Sequence, residues 1–274
     1  MQLNYKKFGE GFPLLILHGL LGSLDNWQTI AKRLAAVQPA PAETGGMKQT
    51  RNSQLATYIL DQRNHGRSPH TDEFNYDLLS SDLLEFFEQQ KIEKAHIIGH
   101  SMGGKAAMKF ALEHSDKVSK LIVVDVAPVQ YEDRHSDVFN ALFAADVRNT
   151  NSREEVEKVL RDKLDNDETT VQFLLKSLTR PENSQSGFHW RFNLDSLSKN
   201  YSKISAVLTS SKQFAGETLF IKGEKSSYIN AENFDSIEKL FPNNKLVEIK
   251  GAGHWVHAEK PQEFLKEIIS FLES

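Results

Sequence analysis

Apolar residues fall into two rhythms along this chain. Short unbroken runs, Leu14 to Leu17, Ala56 to Leu60, His96-Ile97-Ile98, Leu121 to Val124, Thr218 to Ile221 and Leu246 to Ile249, predict buried strands. Between them the apolar positions recur at three and four. Leu79, Leu83, Phe86 and Phe87 share one helical face, and Phe264, Ile268, Ile269, Phe271 and Leu272 predict a closing amphipathic helix. Runs of this kind alternating with helices predict an α/β fold, a mostly parallel central sheet flanked by helices.

Two stretches interrupt the alternation. Val37 to Gln54 carries Pro39, Pro41, Gly45 and Gly46 with few large apolar side chains, and reads as an exposed loop between a helix and the next strand. From residue 129 to residue 212 the pattern is helical. Val138, Ala141, Leu142 and Ala145 share a face, as do Val156, Val159, Leu160 and Leu164, and then Val171, Leu174, Leu175 and Leu178. An insertion of helices between two strands predicts a cap closing over the strand ends, with a purely structural subdomain as the alternative. The expected division is a core of residues 1–128 and 213–274 and a cap of residues 129–212.

Composition narrows the class. At 274 residues, 39% hydrophobic and 26% charged, the chain is of ordinary globular make-up. A net charge of −4 with no basic block argues against a nucleic-acid surface. The absence of cysteine excludes disulfides, thiolate metal sites and a cysteine nucleophile, and fits a reducing cytoplasm. Met1 leads into Gln2-Leu3-Asn4-Tyr5 without a basic-then-apolar leader, and Leu14 to Leu17 is too short to span a bilayer. The expectation is a cytoplasmic protein without a membrane span.

The chemistry lies at the ends of the expected strands. Gly99-His100-Ser101-Met102-Gly103-Gly104 follows the run ending at Ile98, so G-x-S-x-G stands between a strand and a helix. A sharp turn there exposes Ser101 Oγ, and a side chain at Gly99 or Gly103 would collide with the neighbouring helix or strand. Gly99 to Lys105 also imitates a phosphate-binding G-x-x-x-x-G-K loop, but Ala106 stands where such a loop needs serine or threonine.

An activated serine needs a base, an acid to orient it, and donors for an oxyanion. His254, flanked by Gly251 and Gly253 after the last expected strand, is the base candidate. The main-chain N–H groups of Leu20, in His18-Gly19-Leu20-Leu21-Gly22, and of Met102 are the expected oxyanion donors. The common place for the acid, beyond the strand after the cap, holds Glu224-Lys225-Ser226-Ser227. One strand earlier, Asp125 ends a fully apolar run. Asp125 is therefore the expected acid and Glu224 the alternate, with Ser226 a helper hydrogen-bonded to the Asp125–His254 pair.

Taken together these residues resemble the α/β-hydrolase superfamily, and within it the small bacterial esterases and thioesterases of the YbfF type, related to the mitochondrial abhydrolase-domain proteins. The resemblance rests on Asp61-Gln62-Arg63-Asn64-His65-Gly66-Arg67-Ser68, on Gly99 to Ala106, on Val124-Asp125-Val126-Ala127-Pro128-Val129, on Trp190-Arg191-Phe192-Asn193 and on Gly253 to Pro261. It implies the α/β-hydrolase fold with an inserted helical cap and hydrolysis of short- to medium-chain acyl esters, with acyl-CoA thioesters as further substrates. It also supports Asp125 as the acid and Ser226 as a participant. The Val37 to Gln54 loop is longer than the resemblance leads one to expect.

Other residues carry subsidiary expectations. Asp61 and Arg63 are expected in a buried network bracing the loops around the site. His18, Trp190, Arg191 and Trp255 are candidates for substrate contact, with a salt bridge holding the cap as the alternative for Arg191. His257 is expected to be structural. No metal or organic cofactor is implied. The expected partner is a small-molecule acyl ester or thioester, the chain acting as a monomer or homodimer. A carbon–carbon bond hydrolase, a cofactor-free haloperoxidase or a non-catalytic ligand-binding protein on the same fold are the rival readings.

Overall fold

Strands and helices alternate from the start of the chain. They run β1 (Tyr5–Phe8), β2 (Phe12–Leu17), α1 (Gln28–Ala35), β3 (Leu55–Leu60), α2 (Tyr76–Gln90), β4 (Ala95–His100), α3 (Met102–Glu113) and β5 (Val118–Val124). Then come α4 (Ser136–Ala144), α5 (Arg153–Lys163), α6 (Glu168–Leu175), the short strands β6 (Leu178–Thr179) and β7 (His189–Trp190), α7 (Leu194–Lys199) and α8 (Tyr201–Ser205). The alternation resumes with β8 (Thr218–Gly223), α9 (Phe234–Leu240), β9 (Asn244–Ile249), α10 (Val256–Glu259) and α11 (Pro261–Glu273). The computed structural model describes residues 1–37, 54–150, 152–181 and 187–274, so all but the two ends of the loop expected at Val37 to Gln54 lies outside the described residues.

One seven-stranded sheet, ordered β1-β3-β2-β4-β5-β8-β9, carries the core. All its pairs are parallel except β1 with β3. Its central strands are covered on both faces, which is why they read as continuous apolar runs rather than alternating ones. Leu15 and Leu17 point to the side packed by α2 and α3, while Leu14 and Ile16 point to the side packed by α1 and α11. Strand β1 is the one element of the sheet without an apolar run. Tyr5-Lys6-Lys7-Phe8 is a mostly exposed edge, and lysines on an edge discourage pairing with another chain.

Register brings the reactive loops to one end of the sheet. Leu17 of β2 pairs with Gly99 of β4, His100 with Val124 of β5, and Val124 with Ile221 of β8. The chain therefore leaves these four strands together at their carboxyl ends, the usual binding edge of a parallel α/β sheet.

Among the described residues the segment between β5 and β8 holds five helices and the β6–β7 pair. The helical face expected to reach Leu178 stops at Leu175. Leu178 instead pairs with Trp190 and Thr179 with His189, and the Ser177 carbonyl accepts from the Arg191 N–H at 2.9 Å, so strand pairing takes up the backbone that another helical turn would use. The segment is fastened to the core at several points. Lys105 Nζ, buried in α3, donates to the carbonyls of Val129 (2.7 Å), Ser205 (3.2 Å) and Ala206 (2.6 Å), at the two ends of the insertion. Tyr76 Oη donates to the Ile204 carbonyl at 2.8 Å, and Ser177 Oγ to the Leu21 carbonyl at 3.1 Å. Among the described residues no helix is long and apolar enough to cross a membrane.

Candidate active site

Ser101 stands at the sharp junction of β4 and α3, with φ 52° and ψ −120°. That conformation is strained for a residue with a side chain and persists because its surroundings hold it. The Ser101 N–H donates to the Val124 carbonyl at 2.9 Å, and α3 begins at the next residue. The two flanking glycines answer to the crowding. A Cβ on Gly99 would lie 2.2 Å from the Gly103 carbonyl oxygen, and one on Gly103 would lie 2.5 Å from the carbonyl oxygens of both Leu17 and His18. The helix is thereby pressed onto the sheet directly behind the serine.

One strand over, Asp125 also has a positive φ, 52°, and is completely buried. Its carboxylate is fully engaged. Oδ1 accepts from the Gly223 N–H at 3.0 Å, and Oδ2 accepts both from the Ser226 hydroxyl and from His254 Nδ1, the latter at 2.7 Å. A buried carboxylate with three donors is compensated for its loss of water. With Nδ1–H directed at Asp125, the lone pair of His254 lies on Nε2. The ring is pinned by Tyr228, stacked at 4.0 Å and 17°, and the His254 carbonyl accepts from His100 Nε2–H at 2.9 Å. Burial, followed by the neighbouring imidazoles of His254 and His257, holds the His100 ring neutral well below the usual histidine range. Glu224, the alternate acid, lies elsewhere: its Oε2 accepts from the Gly251 N–H at 2.7 Å and holds the turn after β9.

Leu20 and Met102, whose amides are the expected oxyanion donors, line one space with Ser101. Met102 is the first residue of α3, where an N–H has no acceptor within the helix. Leu20 lies in the turn leaving β2, and this turn is shaped by two buried histidines. His65 Nε2 accepts from the Leu21 N–H at 3.1 Å while its Nδ1–H donates to the Arg63 carbonyl at 2.9 Å. His18 Nε2 accepts from the Gln62 N–H at 3.1 Å while its Nδ1–H donates to the Gly19 carbonyl at 2.8 Å. Each ring needs one N–H and one lone pair, which only neutral imidazole provides, and burial lowers both below the ordinary histidine range. Asp61 joins the same brace, accepting from the Leu24 N–H (2.8 Å), Asn4 Nδ2 (2.7 Å) and the Arg67 N–H (2.9 Å). Arg63 is bidentate on buried Asp82.

Ser101 and His254 open onto one cavity of about 490 Å³ between the sheet end and α6. Leu20, His18 and Trp255 line it; Trp190 and Arg191 do not. His18 has both nitrogens committed and offers only its ring. Trp190 is buried, stacked on Phe192 at 5.5 Å and 6°. Arg191 pairs with Asp25 at 2.7 Å and donates to the Lys176 carbonyl at 2.7 Å, so it ties the segment between β5 and β8 to the loop before α1. His257 is buried and stacks on Trp27 at 4.0 Å. Lys105 turns away from the glycine-rich turn toward its three carbonyls, which removes the cation a phosphate loop would need.

Sequence reasoning did not single out His65, Tyr228 or Tyr131. His65 sits in the phrase Asp61 to Ser68, so its signal was present. Tyr131 Oη accepts from the Ala127 N–H at 2.7 Å and donates to the Tyr228 carbonyl at 2.6 Å, joining the Asp125 loop to the His254 stack; two tyrosines in unpatterned loops carry no local signal of this.

The family described as alpha/beta hydrolase fold matches residues 13–261. Esterase YbfF of Escherichia coli is 36% identical, over 95% of this chain and 92% of its own length. An sn-1-specific diacylglycerol lipase of Danio rerio is 36% identical, over all of this chain and 83% of its own. The solved structure of a marine microorganism esterase superposes with a TM-score of 0.89 at 40% identity, covering 98% of this chain and 99% of that one.

Proposed function

The chain belongs to the alpha/beta hydrolase family and is an ester-hydrolysing enzyme, and from that premise we propose that it is a serine carboxylesterase acting through Ser101, His254 and Asp125. Its substrates are short- to medium-chain acyl esters, with acyl-CoA thioesters as further candidates. The observation that carries this reading is the 2.7 Å contact of His254 Nδ1 with buried Asp125, beside a serine held at a positive φ on the same cavity.

The chemistry is two acyl transfers. Ser101 Oγ attacks the ester carbonyl carbon as its proton passes to His254 Nε2, and the carbonyl oxygen takes the charge against the Leu20 and Met102 amides. The carbon–oxygen bond to the alcohol then breaks, and the alcohol leaves with the proton from Nε2. Water adds to the acyl-enzyme by the same roles reversed, releasing the acid and restoring Ser101. Asp125 holds the imidazole tautomer and stabilises the imidazolium, and Ser226 and Gly223 hold Asp125. In this reading residues 129–212 are the cap that forms the outer wall of the cavity. A cytoplasmic location suits a chain without cysteine.

Initial rates on p-nitrophenyl esters and acyl-CoA thioesters, compared between the wild-type protein and Ser101→Ala, test the proposal. Turnover that disappears in the variant is the expected result. A folded wild type that turns over none of these substrates would sink it.

A further inference from the structure

Two spaces meet at Ser101; they share Leu20, Arg134, His135 and Tyr228, and they differ in size and in whether His254 lines them. Besides the large cavity there is a small pocket of about 30 Å³, whose lining includes Ser101, Leu20 and Met102, the side chains of Tyr76, Val126 and Ile204, and polar residues such as Lys105. His254 lines the large space and is absent from the small one. That difference assigns them. In the tetrahedral intermediate the carbon bears four groups: Ser101 Oγ, the oxyanion, the acyl chain and the leaving oxygen. The leaving oxygen must receive its proton from His254 Nε2, so it departs on the side that His254 lines. The oxyanion lies against the Leu20 and Met102 amides. The acyl chain takes the direction that remains, which is the small pocket.

Resting on the proposed Ser101–His254 chemistry, we infer that the small pocket receives the acyl chain and limits it to short acyl groups, while the large cavity holds the alcohol or thiol half. A space of 30 Å³ has room for about two or three water-sized groups, which corresponds to acyl groups from acetyl to butanoyl. The wall is braced against enlargement. Ile204 in α8 presents one side, and its own carbonyl accepts from Tyr76 Oη at 2.8 Å. The next two carbonyls, of Ser205 and Ala206, accept from Lys105 Nζ. Tyr76 and Ile204 are buried, so on this side the pocket is bounded by packed side chains on a hydrogen-bonded backbone. The large cavity is of the size that takes a drug-sized molecule, and its cap side carries Thr169, Thr170 and Gln172. The fitting substrate is a short-chain acyl ester or thioester of a large leaving group with polar substituents.

The test is a pair of substrate series run on three proteins. One series keeps the 4-methylumbelliferyl alcohol and lengthens the acyl chain from acetyl to decanoyl; the other keeps butanoyl and enlarges the alcohol from methyl through benzyl to naphthyl. The wild type is expected to peak between acetyl and butanoyl and to lose at least about tenfold in kcat/KM by octanoyl. Ile204→Ala is expected to regain hexanoyl and octanoyl esters and to leave the ranking of alcohols unchanged. Phe173→Ala, in the wall of the large cavity, is expected to alter the ranking of alcohols and leave the acyl optimum in place. If Ile204→Ala does not fold, Val126→Ala opens the same pocket from the core side. An octanoyl or longer optimum in the wild type, with turnover still lost in Ser101→Ala, overturns the assignment alone, as does a Phe173→Ala variant that shifts the acyl optimum. Absence of any Ser101-dependent turnover overturns the assignment and the esterase reading together.

Discussion

Ser226 and His254 meet on a single atom: the hydroxyl of one and Nδ1–H of the other both donate to Asp125 Oδ2. If Asp125 orients the imidazole, Asp125→Asn should lower kcat by about 10⁴, because an amide nitrogen opposite Nδ1 favours the wrong tautomer. Ser226→Ala should cost about tenfold, since it removes one of three donors from a buried carboxylate. The double variant should be no slower than Asp125→Asn within about threefold, as expected when one residue acts only through the other. Steady-state kinetics on a short-chain ester decide this, and fully multiplying effects would separate Ser226 from Asp125.

Gly103 is the tightest point between α3 and β2, with two carbonyl oxygens 2.5 Å from where a Cβ would stand. Gly103→Ala must push the helix off the sheet or the β2 exit turn away from Ser101. Denaturant unfolding should show a loss of about 3 kcal/mol. Unchanged stability with unchanged kcat would mean that the turn yields without strain.

Lys105 gives the fold a pH dependence of defined sign. Burial lowers its ammonium from 10.5 to about 7. Between these values the unfolded chain binds a proton that the folded chain does not, so this group makes stability rise with pH from about 7 upward and disfavours the fold most below it. Relative to Lys105→Met, the unfolding free energy of the wild type should increase by about 2.5 kcal/mol between about pH 6 and about pH 9. A difference that stays flat or falls over that range contradicts the buried-amine assignment.

The Arg191–Asp25 pair joins the segment between β5 and β8 to the loop after β2 but is partly exposed, at 23% and 36% of the two side chains. A double-mutant cycle with alanine at both positions should give a coupling of about 0.5 kcal/mol. KM for a neutral ester should move by less than about twofold. A large KM effect would return Arg191 to the list of substrate contacts.

How far the chain can be read without its structure depends on whether a signal is local. The central strands were legible because burial on both faces leaves continuous apolar runs, and the elbow because a strained turn demands glycine at Gly99 and Gly103. Strand β1 was not, since an exposed edge rich in lysine carries no such pattern. The positions of Ser101, Asp125 and His254 at one sheet edge follow from strand order and register. What could not be read depends on which loops meet. Arg191 finds Asp25 across 166 positions, Glu224 turns to Gly251, and Trp190 packs on Phe192. The stacking of Tyr228 on His254 is of the same kind, a contact between two loops that share no periodicity.

The convergence of Val129, Ser205 and Ala206 on one lysine nitrogen has an evolutionary consequence. It closes the insertion at its neck, so everything between those carbonyls is a loop whose ends are already joined. The entropy of closing a loop grows only with the logarithm of its length, and helices can be lengthened, shortened or exchanged beyond the neck at little cost to the sheet. Ile204 and Tyr76 stand at the neck itself. Descendants of such a chain can remodel the outer wall of the large cavity while inheriting unaltered the Tyr76 and Ile204 wall beside Ser101.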